Sequence, residues 1–163
     1  MTIAVGDTLP NATLLVFGDD GPASVELAPK LKGRKVVIFG LPGAYTRTCS
    51  AAHMPSFINA MDDLKAKGVD EVICVAVNDP FVMKAWGDST GAHAAGITLL
   101  GDGDASFTKA LGLTFSVPQL GFHDRSQRYS MLVEDGKVTI FNPEPPNGQC
   151  EISAGQTLVA QMG

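Results

Sequence analysis

Two near-continuous apolar runs stand out along the chain, Lys35-Val36-Val37-Ile38-Phe39 and Glu71-Val72-Ile73-Cys74-Val75-Ala76-Val77. Short β-branched runs of this kind predict buried strands, and the second reads as a strand of a parallel sheet covered on both faces. Between them, Ser50 to Lys67 carries helical spacing, with Phe57, Ile58, Met61 and Leu64 on one face and Lys67-Gly68 as a stop. Pro55 within it either kinks the helix or begins its regular part. Ahead of these, Ala12 to Phe17, the turn Gly18 to Pro22, and Ser24 to Leu27 predict an N-terminal hairpin at the edge of a larger sheet. Asn78-Asp79-Pro80 pairs an N-cap with a proline at the first helical position and opens a helix to about Gly87. Thr98 to Leu100 is a short strand, and Asp104 to Leu111 a short helix capped by Asp104.

The last third reads differently. Gly112 to Gln127 shows little periodicity and is expected to be a long, functional loop. Tyr129 to Val133 and Lys137 to Phe141 flank Glu134-Asp135-Gly136, a hairpin signal. Asn142 to Gly148 reads as an exposed loop, and Ser153 as the cap of a final helix to Met162. With no repeat, linker or low-complexity stretch, a single domain over residues 1–163 is expected.

Composition narrows the function classes. The 163 residues are 45% hydrophobic and 18% charged, a globular balance. A net charge of −5 argues against nucleic acid or an anionic membrane as partner, and the basic run Lys30 to Lys35 reads as a solvated loop. No apolar stretch approaches the ~20 residues that span a bilayer. The N-terminus lacks the basic and apolar regions of a secretion signal. The cysteines, at positions 49, 74 and 150, form neither a disulfide framework nor a CxxC pair, which points to a reducing compartment, the cytoplasm. Three histidines without ligand spacing call for no metal, and nothing calls for a cofactor.

The candidate chemistry lies in Gly40-Leu41-Pro42-Gly43-Ala44-Tyr45-Thr46-Arg47-Thr48-Cys49, a strand-to-helix turn with a cysteine at the start of the helix. Helix N-termini favour anions, so a thiol placed there tends toward thiolate. Thr46, three residues earlier, can direct its hydroxyl at the same sulfur. The order of elements matches an α/β, thioredoxin-like fold with an N-terminal β-hairpin extension. A dithiol oxidoreductase of that fold has CxxC at this turn. Here Thr46 stands at the first cysteine's place, leaving one nucleophilic thiolate.

Pro42-Gly43-Ala44-Tyr45-Thr46-Arg47-Thr48-Cys49 resembles the P-x-x-x-T-x-x-C signature of peroxiredoxins. Ser50 to Pro55, Val77 to Met83 and Arg125 to Ser130 are similar to the peroxiredoxin 5 (type II) subgroup. The resemblance implies peroxide reduction at the expense of thiols, and a homodimer. It makes Cys49 the peroxidatic cysteine, Thr46 the threonine bonding sulfur and peroxide, Pro42 the water shield and Arg128 the active-site arginine. Tyr45 replaces a usual phenylalanine and Arg47 a common proline.

Chemistry supports these residue types on separate grounds. A lowered thiol pKa raises the thiolate fraction but lowers nucleophilicity, so fast peroxide cleavage needs donors aimed at the shifting charge. Arg128 offers a fixed fork of donors, and Thr46 both donates and accepts. The product is a sulfenic acid. Cys150 follows a polar loop and is a possible resolving cysteine, whereas Cys74 and Trp86 read as core. His53 reads as a structural or supporting donor. Glutathione, alone or through glutaredoxin, is the expected reductant, with thioredoxin second. The alternative is a non-enzymatic redox sensor or holdase in which Cys49 oxidation alters partner binding.

Overall fold

A computed structural model of the chain describes residues 2–47, 52–145 and 150–163. Cys49 lies outside the described residues. In chain order the elements are β1 (Thr13–Gly18), β2 (Gly21–Glu26), α1 (Leu27–Leu31), β3 (Lys35–Leu41), α2 (Met54–Ala66), β4 (Glu71–Ala76) and α3 (Pro80–Thr90). There follow β5 (Thr98–Gly101), α4 (Ser106–Leu111), β6 (Thr114–Val117), β7 (Phe122–Ser126), β8 (Tyr129–Glu134), β9 (Lys137–Pro143) and α5 (Gly155–Gln161).

Seven strands form one sheet in the order β2-β1-β5-β4-β3-β8-β9. The two apolar runs, β3 and β4, lie side by side and parallel at its centre, Val36 opposite Glu71 and Leu41 opposite Ala76. Their alternation feeds two cores. Val37, Phe39 and Leu41 face Phe57, Met61 and Leu64 of α2, Trp86 of α3 and Leu158 of α5. Val36 and Ile38 face the opposite side, with Leu27 and Leu31 of α1 and Phe107 and Leu111 of α4. Both faces are covered, which is why these strands carry so few polar positions. Cys74 and Trp86 are fully buried, as their apolar settings imply.

Turn chemistry sets the two hairpins. Asp135 and Gly136 both have positive φ, 50° and 78°, and close β8 onto β9 with Glu134 opposite Lys137. The N-terminal hairpin joins the sheet through β1, antiparallel to β5, with β2 as the free edge carrying Pro22. Asp79 caps α3, accepting from the Val82 amide at 2.9 Å, and α3 runs to Thr90, where Gly91 in the left-handed region stops it.

Several sequence expectations need correction. The span 112–127 is not a plain loop: β6 and β7 form a separate two-stranded sheet around a single 3₁₀ turn at Pro118–Leu120, with Phe115 edge-on to Phe122. Four-residue pairings are too short to leave a periodic signature. The basic run is not solvated throughout, because Lys30 and Arg34 both bind Glu71, at 3.0 and 2.9 Å. Of the two roles expected of Pro55, the structure shows the second: it lies in the first turn of α2, which begins at Met54. At α4, buried Asp102 accepts from the Phe107 and Thr108 amides, while Asp104, ahead of the helix, accepts from the Ser106 amide. Ser153 does not cap α5; its hydroxyl donates to Glu144. Nor is 142–148 wholly exposed, since Asn142 and Glu144 are buried.

Glu71 ties the start of β4 to α1 and β5. Burial pushes its carboxyl up, but hydrogen bonds from Thr98, Lys30 and Arg34 outweigh that and hold it below the ordinary carboxylate range. A depressed folded-state pKa stabilises above the unfolded value and is lost as pH falls through the folded one. Replacing Glu71 by Gln is expected to cost about 1–2 kcal/mol near neutral pH. In urea melts across an acid series, the gap from the parent should close as Glu71 itself protonates.

Candidate active site

Strand β3 delivers the candidate loop to the edge of the sheet's centre, and the loop is clamped from two directions. The Pro42 carbonyl accepts from Arg125 Nη1 at 2.9 Å, and the Ala44 amide donates to Asn78 Oδ1 at 2.9 Å. A side chain at position 43 would meet Arg125 Nη1 at 2.3 Å, so the guanidinium can reach across only a glycine. Just below, the Tyr129 ring lies over Gly40, filling the space a side chain there would need. Thr46 then folds back: its amide and its hydroxyl both donate to the Gly43 carbonyl, at 3.3 and 2.7 Å. Tyr45 accepts a left-handed φ of 66° at the turn and is exposed.

Arg128 reaches this region from the other side of the sheet's centre, just before β8, which pairs with β3. It is 8% exposed, and its carbonyl accepts from the Glu144 amide. Its Nη1 donates to Nδ1 of His53 at 3.1 Å, at the start of α2 and four residues past Cys49. His53 is fully buried against the Phe39 and Phe57 rings, which stack 4.1 Å apart. The other imidazole nitrogen, Nε2, lies 3.1 Å from the Ser153 carbonyl. Burial, then the Arg128 charge, pushes His53 down to about 3 against the upward pull of the Ser153 bond. The imidazole is therefore neutral across the physiological range.

Beyond Ser153 sits Glu144, whose carboxylate accepts from the amides of Glu151, Ile152 and Ser153 and from the Ser153 hydroxyl. Burial pushes Glu144 up, and these bonds, led by Ser153, bring it net below the ordinary range. Cys150 is half-buried on the same segment, its Sγ 3.9 Å from Ser153 Oγ.

Of the residues singled out from the sequence, Pro42 and Thr46 share one clamped loop, and Arg128 meets the start of the helix that follows it. Cys49, which falls between Thr46 and His53 in the sequence, lies outside the described residues. Three supports went unread. Asn78 passes for part of an N-cap, yet Asp79 alone caps α3 and Asn78 reaches across to Ala44. Arg125 sits in a motif where only Arg128 was singled out. Glu144 lies among prolines in what reads as a loop. Among the described residues no cluster of His, Cys, Asp and Glu could hold a metal ion, and no helix is long and apolar enough to cross a membrane.

The architecture is that of the thioredoxin-like oxidoreductases, with a single-cysteine turn in place of a dithiol. The chain belongs to the Redoxin family, whose model matches residues 4–158, and within it to the peroxiredoxins. It is 46% identical over 161 residues to Peroxiredoxin-2C of Oryza sativa subsp. japonica, covering 98% of each chain. It is 41% identical over 161 residues to Peroxiredoxin-2B of Arabidopsis thaliana, again covering 98% of each. The structure is similar to that of reduced Prx3 in complex with H2O2 from Vibrio vulnificus, with a TM-score of 0.92, 48% identity, and 99% and 100% of the two chains covered. Peroxiredoxin 5 from Alvinella pompejana aligns with a TM-score of 0.83 at 29% identity, covering 98% and 97%. The expectations of a thioredoxin-like fold and of the peroxiredoxin 5 (type II) group thus hold. The chain is a thiol peroxidase, an oxidoreductase that reduces a peroxide at the expense of a thiol.

Two measurements test the described geometry. Asn78→Ala removes the acceptor of the Ala44 amide and should cost about 1–2 kcal/mol. Amide exchange at Ala44 and Thr46 should quicken while the β4 amides stay protected. For His53, a folded pKa below the unfolded one means stability is complete above the ordinary histidine value and declines as pH falls toward about 3. Denaturant titrations should show that decline, and His53→Asn should flatten it.

Proposed function

We propose that Cys49 is the peroxidatic cysteine, with Thr46, Arg128 and Pro42 as the groups that make its reaction fast. The observation that carries this reading is the Arg128–His53 hydrogen bond. It draws a guanidinium from 75 residues away to the start of the helix that follows Cys49. The Cys49 thiolate attacks one peroxide oxygen; the S–O bond forms as the O–O bond breaks. Sulfur is oxidised to a sulfenic acid, and the other oxygen leaves as hydroxide or alkoxide and takes a proton. Negative charge moves from sulfur to oxygen during that step, and a preoriented cation that cannot deprotonate stabilises it throughout. Thr46 has its hydroxyl proton directed at Gly43, so its oxygen is set to accept a hydrogen bond from the incoming peroxide. Pro42 brings no N–H, and its carbonyl is engaged by Arg125, which leaves the turn little to offer water.

The substrates on this reading are hydrogen peroxide and alkyl hydroperoxides. The hydrogen peroxide bound to the Vibrio vulnificus relative supports the first. The reductant is glutathione, acting directly or through glutaredoxin, with thioredoxin second. A glutathione thiolate attacks the sulfenic sulfur; the S–S bond forms as the S–O bond breaks, the hydroxide that leaves takes a proton to become water, and a second thiol reduces the mixed disulfide. Cys74 is fully buried in β4, which supports an external thiol as resolver, and Cys150, half-buried, is the more accessible internal candidate. A second copy of the chain is the proposed partner: Tyr45, Phe81 and Leu120 are 58%, 61% and 66% exposed, unusual for large apolar side chains. The cytoplasm remains the proposed setting, on cysteine usage.

Steady-state peroxide consumption should be measured in parallel with glutathione, glutaredoxin and thioredoxin. Cys49→Ser should abolish turnover, and Arg128→Lys should lower the peroxide rate constant by roughly ten- to a hundredfold. Cys150→Ser should retain most turnover with glutathione; near-complete loss would make Cys150 the resolving cysteine. Stoichiometric oxidation without turnover would favour the redox-sensor reading.

A further inference from the structure

Arg128 meets α2 through a histidine whose two ring nitrogens are both engaged. A carbonyl only accepts, so His53 Nε2, 3.1 Å from the Ser153 carbonyl, carries the ring proton. A guanidinium only donates, so Nδ1, 3.1 Å from Arg128 Nη1, is bare. The two partners select the same neutral tautomer from opposite sides of the ring. Among the described residues, the groups facing it include the Phe39 ring from β3, the Phe57 ring from α2, the Ser153 carbonyl and the charged Arg128. The carboxylate behind Ser153, Glu144, is engaged with three amides and a hydroxyl.

We propose that His53 is a positioning residue for peroxide reduction: its bare Nδ1 fixes the orientation of the Arg128 guanidinium, and the Ser153 carbonyl keeps that nitrogen bare. The proposal deepens the reading of Arg128 given above and rests on it. Orienting a long arginine side chain ordinarily falls to a carboxylate, which binds bidentately but cancels the charge it holds. A neutral imidazole holds one N–H of the fork and leaves the full positive charge for the thiolate and the departing oxygen. A protonated imidazole would repel Arg128, and the other neutral tautomer would point N–H at N–H. The device works only with Nε2 protonated. That requirement extends it into the segment that carries Cys150, because Ser153 is itself held by Glu144, from its amide at 2.9 Å and its hydroxyl at 2.7 Å.

Two substitutions separate the nitrogens. In His53→Asn the amide oxygen can replace Nδ1 as acceptor for Arg128, and the Ser153 bond is lost. In His53→Gln the longer side chain can restore a donor to Ser153 and lose the acceptor. The rate of oxidation of the reduced protein by hydrogen peroxide is read by competition, free of any reductant, and the Cys49 pKa by thiolate absorbance. His53→Gln should be slower by roughly tenfold or more with a raised Cys49 pKa, and His53→Asn should stay within about threefold of the parent. Equal losses in both, or losses that track the melting temperature, would overturn the proposal in favour of a packing role. In an Arg128→Lys background, His53→Gln should have no further effect, and additive losses also overturn it. Arg128→Lys at the parent rate would instead remove the reading of Arg128 on which the proposal stands. Nitrogen-15 spectra of the unsubstituted protein test the tautomer independently of any variant's folding. The Nε2–H form should persist from about pH 8 to about pH 5, and titration of His53 in that range would count against the device.

Discussion

A buried guanidinium has to be met by acceptors, and one hydrogen bond, from Arg128 to His53, determines how two distant parts of this chain face each other. It joins the residue before β8 to the start of α2, across the sheet's centre. A hydrogen bond to a charged group of this kind is worth about 1.5–3 kcal/mol, and breaking it leaves a cation in a poorly hydrated place. Arg128 also holds the C-terminal segment through its carbonyl, which accepts from Glu144. The residue proposed to stabilise charge in the reaction is thus also a junction of the fold.

The rest of the architecture serves that junction. β3 lies between β4 and β8, so everything emerging from its C-terminal end is flanked by the start of α3 and the end of the β7–β8 connection. Asn78, two residues before α3, and Arg125, within β7, hold the backbone of 42–44 between them. Backbone groups of a loop cannot be left unpaired in a half-buried setting. Side chains from neighbouring elements meet that need here, and they fix the loop's course. The Phe39–Phe57 stack does the same for His53, giving its ring one position against the sheet.

Much of this was legible without coordinates, for physical reasons that differ by element. β3 and β4 announce themselves because both their faces are buried, and the β8–β9 turn because Asp-Gly tolerates two left-handed residues. The motif from Pro42 to Cys49 is local in sequence, so it could be read directly. The small β6–β7 sheet was not legible, since two four- to five-residue strands pair across a bulge with no periodicity to show. The burial of Glu144 is not legible in the loop that contains it, because the amides that bind it come seven to nine residues later, in a segment with no regular structure of its own. Ser153 matched a capping pattern, but a buried carboxylate is a stronger acceptor for its hydroxyl than the helix can offer.

By itself, then, the sequence determined the class of fold, the identity of the loop and the residue types its chemistry requires, because each is written in local spacing and in the burial of whole strands. Tertiary structure alone decided which nitrogen of His53 carries the proton, that Arg125 and Asn78 clamp the loop, and that Glu144 closes the C-terminal segment. The first two depend on partners 34 to 100 residues away that meet only when the sheet is assembled, and the third on amides seven to nine residues along an irregular segment. A hydrogen bond has direction and reach, and neither is encoded in the order of residues.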